Sequence, residues 1–256
     1  MEEIEFAFAD SVEVEAIGRL LKRCGLPYED IANHLHHFMV AKTGNDLIGV
    51  IGLEVYEKVG LLRSLAITDD YRGRGIAKAV YTRILAYAHL QGIESLYLLT
   101  TTAEGFFSKM GFTKVERNNI PESIQATKEF QNFCPSTAVC MTKGIEKDAR
   151  YYPKEVLRLQ PDVLGARMWG IALEKTMFTY FEVESNCRFE IHAHESEQIT
   201  MVLEGELFFE VEGRIVGVKK GEVIAIPSAL PHAVFTREQF VKAVDAWSPV
   251  MEKYKK

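Results

Sequence analysis

Apolar residues in the first half of the chain follow two different spacings. They recur at helical spacing from Ile76 to Leu90. By contrast, Asp46–Tyr56 and Leu61–Ile67 have the composition of strands joined by a tight turn. Gly111 is typical of a residue that ends a helix, here one over Ala103–Met110. Further predicted elements are a strand at Ile4–Ala9, a helix from Asp10 to about Cys24, a short helix near Tyr28–Asn33, an apolar stretch at Phe38–Ala41 and a strand at Ser95–Thr101.

The second half of the chain contains only strand-like segments. Short runs of β-branched and aromatic residues recur about every 8–12 residues, and turns such as Glu204-Gly205 separate them. This spacing is typical of an antiparallel β-barrel or sandwich. The predicted strands are Met177–Val183, Ile199–Leu203, Leu207–Val211, Ile215–Val218, Val223–Ile226 and Phe240–Trp247.

A charged segment poor in apolar residues, Gly144–Pro153, separates the two patterns. We therefore expect a first domain at residues 1–143, a linker and lead-in at 144–164, and a second domain at 165–256. The halves share neither period nor motif, which indicates a fusion of unlike units rather than a repeat.

The charge and composition of the chain argue against nucleic acid and membranes as partners. A formal net charge of −6 leaves no basic surplus for nucleic acid or for an anionic membrane. No apolar run approaches the roughly 18–20 residues that cross a bilayer. The acidic start of the chain lacks the layout of a signal peptide. The four cysteines form no CxxC pair, which is typical of a reducing compartment, so we expect a cytoplasmic protein.

The loop Arg72–Ala77 lies between a predicted strand and the predicted long helix. Its glycines let backbone N–H groups converge, and the helix N-terminus adds about half a positive charge. Arg72 and Arg74 add full charges that can fork onto phosphate oxygens. The loop matches neither a P-loop nor a dinucleotide fingerprint. It predicts an anion cradle suited to a pyrophosphate, or alternatively a glycine turn with exposed arginines.

With its flanking strand and helix and the later segment Ala103–Phe112, this loop resembles the GCN5-related N-acetyltransferase (GNAT) superfamily. The resemblance covers about residues 1–143 and implies an α+β fold with a mixed central sheet flanked by helices. It implies acetyl-CoA as the acyl donor, a pantetheine arm paired with the backbone of Leu65–Ile67, and direct attack by a free amine. The coenzyme contacts that it implies are Leu65, Ala66, Ile67, Arg72, Gly73, Arg74, Gly75, Ile76, Ala77 and Phe107.

Two positions depart from the family pattern. Many members have a tyrosine where Phe107 stands, and that hydroxyl protonates the leaving thiolate. Thr100 replaces a commonly found asparagine. Water or another group would then supply the proton, or the thiolate leaves unassisted.

A closer resemblance lies in Leu61–Ala66, Leu98–Phe107 and Arg117–Met141. These segments resemble acetyltransferases of bacterial arsenic-resistance operons and short amino-acid N-acetyltransferases. The resemblance implies that the acceptor is a small amino acid or a toxic analogue of one, not a protein.

On that view Arg63 and Arg117 are candidates to grip the carboxylate or other oxyanion of an acceptor. Either residue is alternatively a surface arginine. Ser64, Thr101 and Thr102 are candidates to line the acceptor pocket, or alternatively surface residues. The general base is not identified; Glu54 is the nearest candidate by strand position, and a solvated strand residue is its alternative interpretation.

Three histidines and a glutamine in the second half have the composition of a metal site. His192 and His194 are predicted to lie on one face of a strand, Gln198 follows four residues later, and His232 comes from a distant strand. Three neutral imidazoles and one amide oxygen would suit a divalent ion such as Ni, Fe, Mn or Zn.

The spacing of these residues resembles the two motifs of the cupin superfamily. The resemblance covers about residues 165–250 and implies an all-β cupin barrel. A metal-free cupin that only stiffens a dimer is the alternative. The two motifs are His192-x-His194-x3-Gln198-x6-Gly205 and Gly221-x5-Pro227-x4-His232.

Gln198 stands where the fourth ligand of a cupin is usually glutamate. A neutral ligand would leave a bound metal more positive and more Lewis-acidic. This glutamine, together with Val244–Pro249, resembles small cupins that open unsaturated uronate rings. Asp245 and Trp247 match the acid and the aromatic residue that face the metal in those proteins, so Asp245 is a candidate acid or base. A polar residue at a strand end is the alternative interpretation.

Three hypotheses follow for the whole chain. The first is an N-acetyltransferase for a small amine or amino-acid-like acceptor, with a metal-binding cupin that senses, assists catalysis or dimerises. The second is a metal-dependent cupin isomerase or lyase with a coenzyme-binding sensor domain. The third is a binding protein without turnover. We also expect a homodimer formed through the cupin.

Overall fold

The computed structural model describes residues 3–145 and 149–254 of the chain. The chain divides into two compact units after Val156, which falls within the predicted linker. Among the described residues, no helix is both long enough and apolar enough to span a membrane.

The first unit contains a seven-stranded mixed sheet, with strand order β1-β2-β3-β4-β5-β7-β6. Among the described strands of this sheet, only β4 and β5 pair in parallel, and the other neighbouring strands pair antiparallel. The strands are β1 (Glu5–Phe8), β2 (Phe38–Thr43), β3 (Asp46–Tyr56), β4 (Val59–Ile67), β5 (Ser95–Thr100), β6 (Thr113–Lys114) and β7 (Val139–Gly144).

The described part of the first unit also contains five α-helices. Apolar side chains at helical spacing form α3 within the predicted bounds, and α3 packs against β2, β3 and β4. A capping box between Asp10 and Glu13 starts the turn that leads into α1. A π-helical turn at Glu129–Phe133 was not predicted. The helices are α1 (Val14–Arg23), α2 (Ile31–His34), α3 (Ile76–Leu90), α4 (Glu104–Lys109) and α5 (Glu122–Gln125).

Strands β4 and β5 pair over only three residues, Val59–Leu61 against Ser95–Tyr97. Beyond them β5 remains paired with β7, and β4 remains paired with β3. The edge of β4 that faces β5 therefore has no strand partner from Leu62 to Ile67 in the described part of the chain. A register shift in the β3–β4 pair, with Ser64 at φ 58°, marks a bulge in β4 shortly after Leu61, the last residue of β4 that pairs with β5. We call this gap the β4–β5 opening.

One face of the sheet next to this opening is covered by two groups of residues. Val50 and Ala66 pack in one apolar cluster with α1 and α2. Leu61 packs in another with Ile120 and Ile124, which belong to the segment 115–138. These two apolar clusters lie next to each other along β3 and β4. Glu54 is at their junction, because it pairs with Leu61 and lies on the same face as Val50.

The second unit contains two antiparallel sheets, in the orders β15-β12-β17-β10-β9-β8 and β11-β16-β13-β14. Inward side chains of both sheets, including Phe181, Val202 and Phe209, form one core. The predicted β10 and β15 have the expected bounds, and β11 and β16 were expected only as the strands that carry His192 and His232, whereas β8 and β9 were not predicted. The strands are β8 (Gln160–Pro161), β9 (Ala166–Ala172), β10 (Met177–Val183), β11 (Arg188–His192), β12 (Glu197–Glu204), β13 (Glu206–Val211), β14 (Arg214–Lys219), β15 (Val223–Ile226), β16 (His232–Phe235) and β17 (Val241–Ser248).

The outer surface of the larger sheet is unusually apolar. Strand alternation turns two rows of side chains outward across β9, β10, β12, β15 and β17, and strand register brings each row into line. Ion pairs of Glu204 with Lys242 (2.7 Å) and Glu182 with Arg167 (3.0 Å) border it. We call this surface the apolar face; it consists of Trp169, Ile171, Phe178, Tyr180, Ile199, Met201, Val223, Ala225, Val244 and Ala246.

Candidate functional sites

The predicted anion cradle has its glycines in the conformation that the loop requires. Gly73 (φ 75°) and Gly75 (φ 81°) are left-handed, and no atom lies within 4 Å of a Cβ built on either. Gly75 caps α3, whose first N–H groups have no acceptor within the helix. Backbone N–H groups and the positive end of a 15-residue helix therefore meet at one accessible point.

Arg72 was expected to bind phosphate oxygens, but its guanidinium already contacts groups of the protein. Its Nε donates to the carbonyl oxygen of Ile67 (3.2 Å), and its Nη1 lies 3.0 Å from Asp69 Oδ1. Its Nη2 also contacts Cys24 Sγ at 3.8 Å. Arg72 therefore ties the loop to the end of β4 instead of offering a free fork to a phosphate. Arg74, stacked over the ring of Tyr71 at 4.8 Å, keeps its charge at the loop.

Leu65, Ala66 and Ile67 lie on β4 where its edge faces the β4–β5 opening. An extended ligand arm could pair with this edge as an added strand. The anion cradle follows Ile67 by a few residues, so both features lie at the same end of β4.

Phe107 is a core residue. It is 5% exposed, and it packs edge-to-face against Phe106 (ring centroids 5.1 Å apart) and Phe112 (5.5 Å). Thr100 Oγ1 accepts hydrogen bonds from the backbone N–H groups of Thr102 (3.3 Å) and Ala103 (2.9 Å). Thr100 thus holds the turn between β5 and α4, and Phe107 contributes packing rather than a polar atom.

Arg63 does not offer a free guanidinium, contrary to the role expected for it. Its side chain is fully buried and binds Asp30 through two hydrogen bonds (2.8 and 3.1 Å). It also donates to Glu54 and lies 3.0 Å from Glu129 Oε2. We call Asp30, Glu54 and Glu129 the carboxylate cluster. An incoming carboxylate would have to displace one of them.

Glu54 is buried, so the alternative interpretation of it as a solvated strand residue is wrong. It is 2% exposed and accepts a hydrogen bond from the hydroxyl of Tyr56 at 2.5 Å. Ser64 is buried and accepts from Arg63 Nε at 3.3 Å, whereas Thr101 is exposed just after β5. The structure thus brings Ser64 to the cluster and leaves Thr101 at the surface.

Arg117 braces the segment 115–138. Its guanidinium donates to the carbonyl oxygens of Phe130 (3.1 Å), Pro135 (3.2 Å) and Ser136 (3.4 Å). It also lies 4.4 Å from the centre of the Phe130 ring. These contacts use much of the hydrogen-bonding capacity of Arg117. Like Arg63, it therefore does not offer a free guanidinium to the carboxylate of an acceptor.

Asp30 and Glu129 were missed by sequence reasoning. Nothing in the local pattern distinguishes them from surface carboxylates, because their burial comes from α2 and the π-helical turn closing over Arg63. Burial raises the pKa of Glu129, against the opposing effect of Arg63. Burial and the neighbouring Glu129 raise the pKa of Cys134 to about 12, so that thiol stays protonated.

The three predicted histidine ligands converge in the second unit. The ligand atoms of His192, His194 and His232 lie within 4.8 Å of one another. His192 and His232 are directly paired between β11 and β16. The expected strand placement of His194 is wrong, because β11 ends at His192 and His194 lies in the following connection. The turn of that connection, not strand alternation, brings His194 to the other two rings.

Backbone contacts orient all three rings. Because each carbonyl can only accept, each Nδ1 carries the proton and each Nε2 presents a lone pair. His232 Nε2 is buried and has no hydrogen-bond partner among the described residues. Burial also lowers the pKa of His232, which favours its neutral form. The Nδ1–O distances are 2.7 Å for His192 to Glu190, 2.6 Å for His194 to Ser196 and 2.8 Å for His232 to Leu230.

Gln198 is held with its oxygen toward the imidazoles. Its Nε2 donates to Thr200 Oγ1 (2.9 Å), and Thr200 in turn donates to Asp245 Oδ1 (2.6 Å). Gln198 Oε1 then lies 3.3 Å from His194 Nε2. Burial raises the pKa of Asp245 to about 7, although its hydrogen bonds oppose this. Trp247 donates its indole N–H to Thr179 (2.8 Å), so its ring, not its nitrogen, faces His194.

These residues border a cavity inside the second unit. His192, Gln198, Asp245 and Trp247 are among its lining residues, and the remainder of the wall is largely apolar. Polar groups therefore gather at one side of an apolar chamber, which is typical of a small-molecule site.

Comparisons with known proteins match both units. Residues 7–112 match the family model described as Acetyltransferase (GNAT) family, and residues 179–244 match the model described as Cupin domain. An uncharacterized N-acetyltransferase of Chlorobaculum tepidum is 30% identical over 124 residues, which are 48% of this chain and 76% of that protein.

Two further relatives extend the match for the first unit. The amino-acid acetyltransferase of Escherichia coli K12 is 29% identical over 105 residues, 40% of this chain and 24% of that protein. The chain thus spans about a quarter of that relative's length. N-acetylglutamate synthase from Neisseria gonorrhoeae, solved with coenzyme A and L-arginine, has a TM-score of 0.50 and 20% identity over 57% of this chain and 34% of that chain. It shows the shared fold.

Gly73→Ala is expected to weaken coenzyme A binding at least about tenfold, since a Cβ would enter the open space of the cradle. Gly213→Ala is the matched control: Gly213 also has φ 75° and open space around its Cβ position. Both changes carry about 1–2 kcal/mol of left-handed strain. Isothermal titration calorimetry with coenzyme A checks the difference. Equal affinities in the two variants would contradict a cradle at this loop.

His232→Ala is expected to abolish metal retention, because it removes one of three converging imidazoles. The exposed His36 supplies the control, and His36→Ala should keep the metal content of the wild type. Elemental analysis of protein purified after incubation with Ni, Fe, Mn or Zn measures ions per chain. A wild type that holds none of the four would refute the metal centre.

Proposed function

Since this chain belongs to the GNAT family of acetyltransferases and carries a cupin domain, we propose that it transfers an acetyl group from acetyl-CoA to a small, amino-acid-like amine. The observation that carries this proposal is the β4–β5 opening beside the cradle. The unpaired edge of Leu65–Ile67 can hold the pantetheine arm, and Gly73–Ala77 can hold the pyrophosphate.

Acetyl transfer needs no covalent enzyme intermediate in this arrangement. The amine nitrogen attacks the thioester carbonyl carbon, a C–N bond forms, and the C–S bond breaks with its electron pair on sulfur. Holding donor and acceptor together at the opening supplies the orientation. Phe107 has no hydroxyl, so the sulfur receives its proton from water or from the proton that the nitrogen loses.

The proposed acceptor class rests on the relatives. Several curated relatives are amino-acid acetyltransferases, and one matched structure is an N-acetylglutamate synthase. The chain covers only about a quarter of those acetyltransferases, so the shared part is the transferase unit and not the rest of those proteins.

For the second unit, we propose that His192, His194, His232 and Gln198 hold a divalent metal. The buried, unpartnered Nε2 of His232 and the oriented Nδ1 groups fit such an ion. All four ligands are neutral, so a bound Ni, Fe, Mn or Zn would act as a strong Lewis acid in the cavity. Its role would be to sense a ligand, assist catalysis or stabilise the dimer.

A second candidate function is a metal-dependent isomerase or lyase in the cupin. It is favoured by Asp245, which lines the cavity and has a pKa raised to about 7 by burial. A carboxyl group with that pKa can exchange a proton near neutral pH. The first unit would then act as a coenzyme-binding sensor.

We further propose a homodimer formed through the apolar face. Ile199 is 52% exposed and Met201 40% exposed, although both lie in the middle of a sheet. Contiguous apolar patches of this kind mark interaction surfaces. The border contains charges of both signs in ion pairs, so a second copy of the same face meets no net repulsion.

Mixing the protein with acetyl-CoA and a panel of amino acids, amino-acid amides and small amines should release free thiol, since the amine attacks the thioester. A thiol reagent measures the rate, and mass spectrometry identifies the N-acetyl product. If coenzyme A binds and no amine in the panel releases thiol, the proposed transferase activity is wrong.

Met201→Glu should convert a dimer into a monomer, because it places a charge within the apolar face. Ile215→Glu is the matched control, since Ile215 is 54% exposed on β14 of the other sheet. Sedimentation velocity of both variants at equal concentration measures the mass. A monomeric wild type, or an unchanged Met201→Glu dimer, would contradict this interface.

A further inference from the structure

The carboxylate cluster carries more negative charge than its arginine can balance. Arg63 contributes one positive charge, and Asp30, Glu54 and Glu129 contribute three negative charges when ionised, a formal excess of two. All four residues are buried. His34 Nε2 also lies 3.9 Å from Glu54 Oε1. Excess charge buried in this way is unfavourable unless the group protonates or binds a cation.

Glu129 is the least satisfied member of the cluster. Its Oε1 accepts a hydrogen bond from the thiol of Cys134 at 3.4 Å. Its Oε2 lies 3.0 Å from Arg63 Nη2, but it is buried and accepts no hydrogen bond from the described residues. An ion pair without a hydrogen bond leaves this oxygen able to accept one more donor. A cation with N–H groups would supply both the charge and the donor.

The carboxylate cluster lies next to the proposed donor site along β4. Arg63 and Ser64 directly precede Leu65–Ile67, the edge proposed to hold the pantetheine arm. The cluster also lies where α2 and the π-helical turn meet over the sheet. An acceptor amine that attacks a thioester at the end of that arm must approach this part of the opening.

We propose that the acceptor binds as a cation, with its ammonium group donating to Glu129 Oε2 in the carboxylate cluster, and that a carboxylate next to that ammonium group weakens binding. This inference rests on the proposed acetyltransferase function and narrows its acceptor. It replaces the expected grip of Arg63 on an acceptor carboxylate. The favoured class is amines whose neighbouring group is neutral, such as amino-acid amides.

The proton balance of the reaction is consistent with this binding mode. The ammonium group gives one proton to the Glu129 carboxylate, and the freed amine attacks the carbonyl carbon. As the C–S bond breaks, the nitrogen loses a second proton, and the thiolate is protonated to coenzyme A. The products are the N-acetyl amine and the free thiol, with one proton later passing from Glu129 to water.

A free amino acid would meet repulsion at the same place. Its carboxylate would lie next to its ammonium group and therefore near the three cluster carboxylates. The guanidinium that could compensate is already occupied by Asp30 through two hydrogen bonds. In a poorly hydrated site this repulsion is weakly screened. An amide of the same amino acid keeps the shape and removes the charge.

The test compares each amino acid with its own amide as acceptor, in the wild type, in Glu129→Gln and in the control Glu122→Gln. Glu122 lies exposed on the same covering segment. Wild type and control should prefer the amide by about tenfold or more in kcat/KM. Glu129→Gln should reduce that preference at least about fivefold, while its affinity for coenzyme A stays within about twofold of the wild type. The intrinsic difference in amine basicity cancels in the ratio between variants.

The outcomes separate this inference from the function on which it rests. A wild type that prefers free amino acids, or a preference that Glu129→Gln leaves unchanged, overturns the cationic acceptor and leaves acetyl transfer intact. Release of no thiol by either acceptor, with coenzyme A bound, overturns both. Because burial raises the pKa of Glu129, its ionised form destabilises the fold above that pKa, so Glu129→Gln is expected to fold. Thermal unfolding checks this, and the wild-type preference tests the proposal independently of the variant.

Discussion

The parting of β4 from β5 after Leu61 is the constraint on which the first unit's site depends. Three parallel pairs hold the strands together, and β4 has a bulge at Ser64 beyond the last of these pairs. The strand edge that remains can accept an extended ligand, and α3 begins close to the end of that edge. Arg72 bonds the loop before α3 to the carbonyl of Ile67, so strand edge and cradle are fixed relative to each other. The proposed donor binding and acceptor access both depend on this one local geometry.

In the second unit, hydrogen bonds rather than the separation of two strands determine the geometry of the candidate site. Backbone carbonyls fix the tautomer of each histidine, and the series Asp245, Thr200, Gln198 fixes the direction of an amide oxygen. Each proposed metal ligand is therefore already oriented without an ion, which would reduce the ordering that metal binding requires. The same hydrogen bonds use the polar atoms of Thr200 and Asp245, so the cavity presents few unsatisfied groups apart from the ligand atoms.

Sequence patterns predicted the features that depend on local spacing. The bounds of α3, β3 and β10, the glycine loop before α3 and the set of histidines all follow from short segments. The environment of Arg63 could not be predicted, because its partners come from α2 and from the π-helical turn, far away on either side in sequence. Charge compensation between distant elements has no periodic signature. For the same reason a conventional carboxylate-binding arginine was expected where the structure has a buried arginine held by three carboxylates.

Amide hydrogen exchange with and without coenzyme A measures most directly whether the β4–β5 opening and the loop before α3 form one donor site. We expect slower exchange on binding at residues 65–67 and at residues 73–77, both within one titration of coenzyme A. The first stretch is protected by pairing with the pantetheine arm and the second by contact with the phosphates. Binding of coenzyme A that protects neither stretch, or only other parts of the chain, would contradict a single donor site.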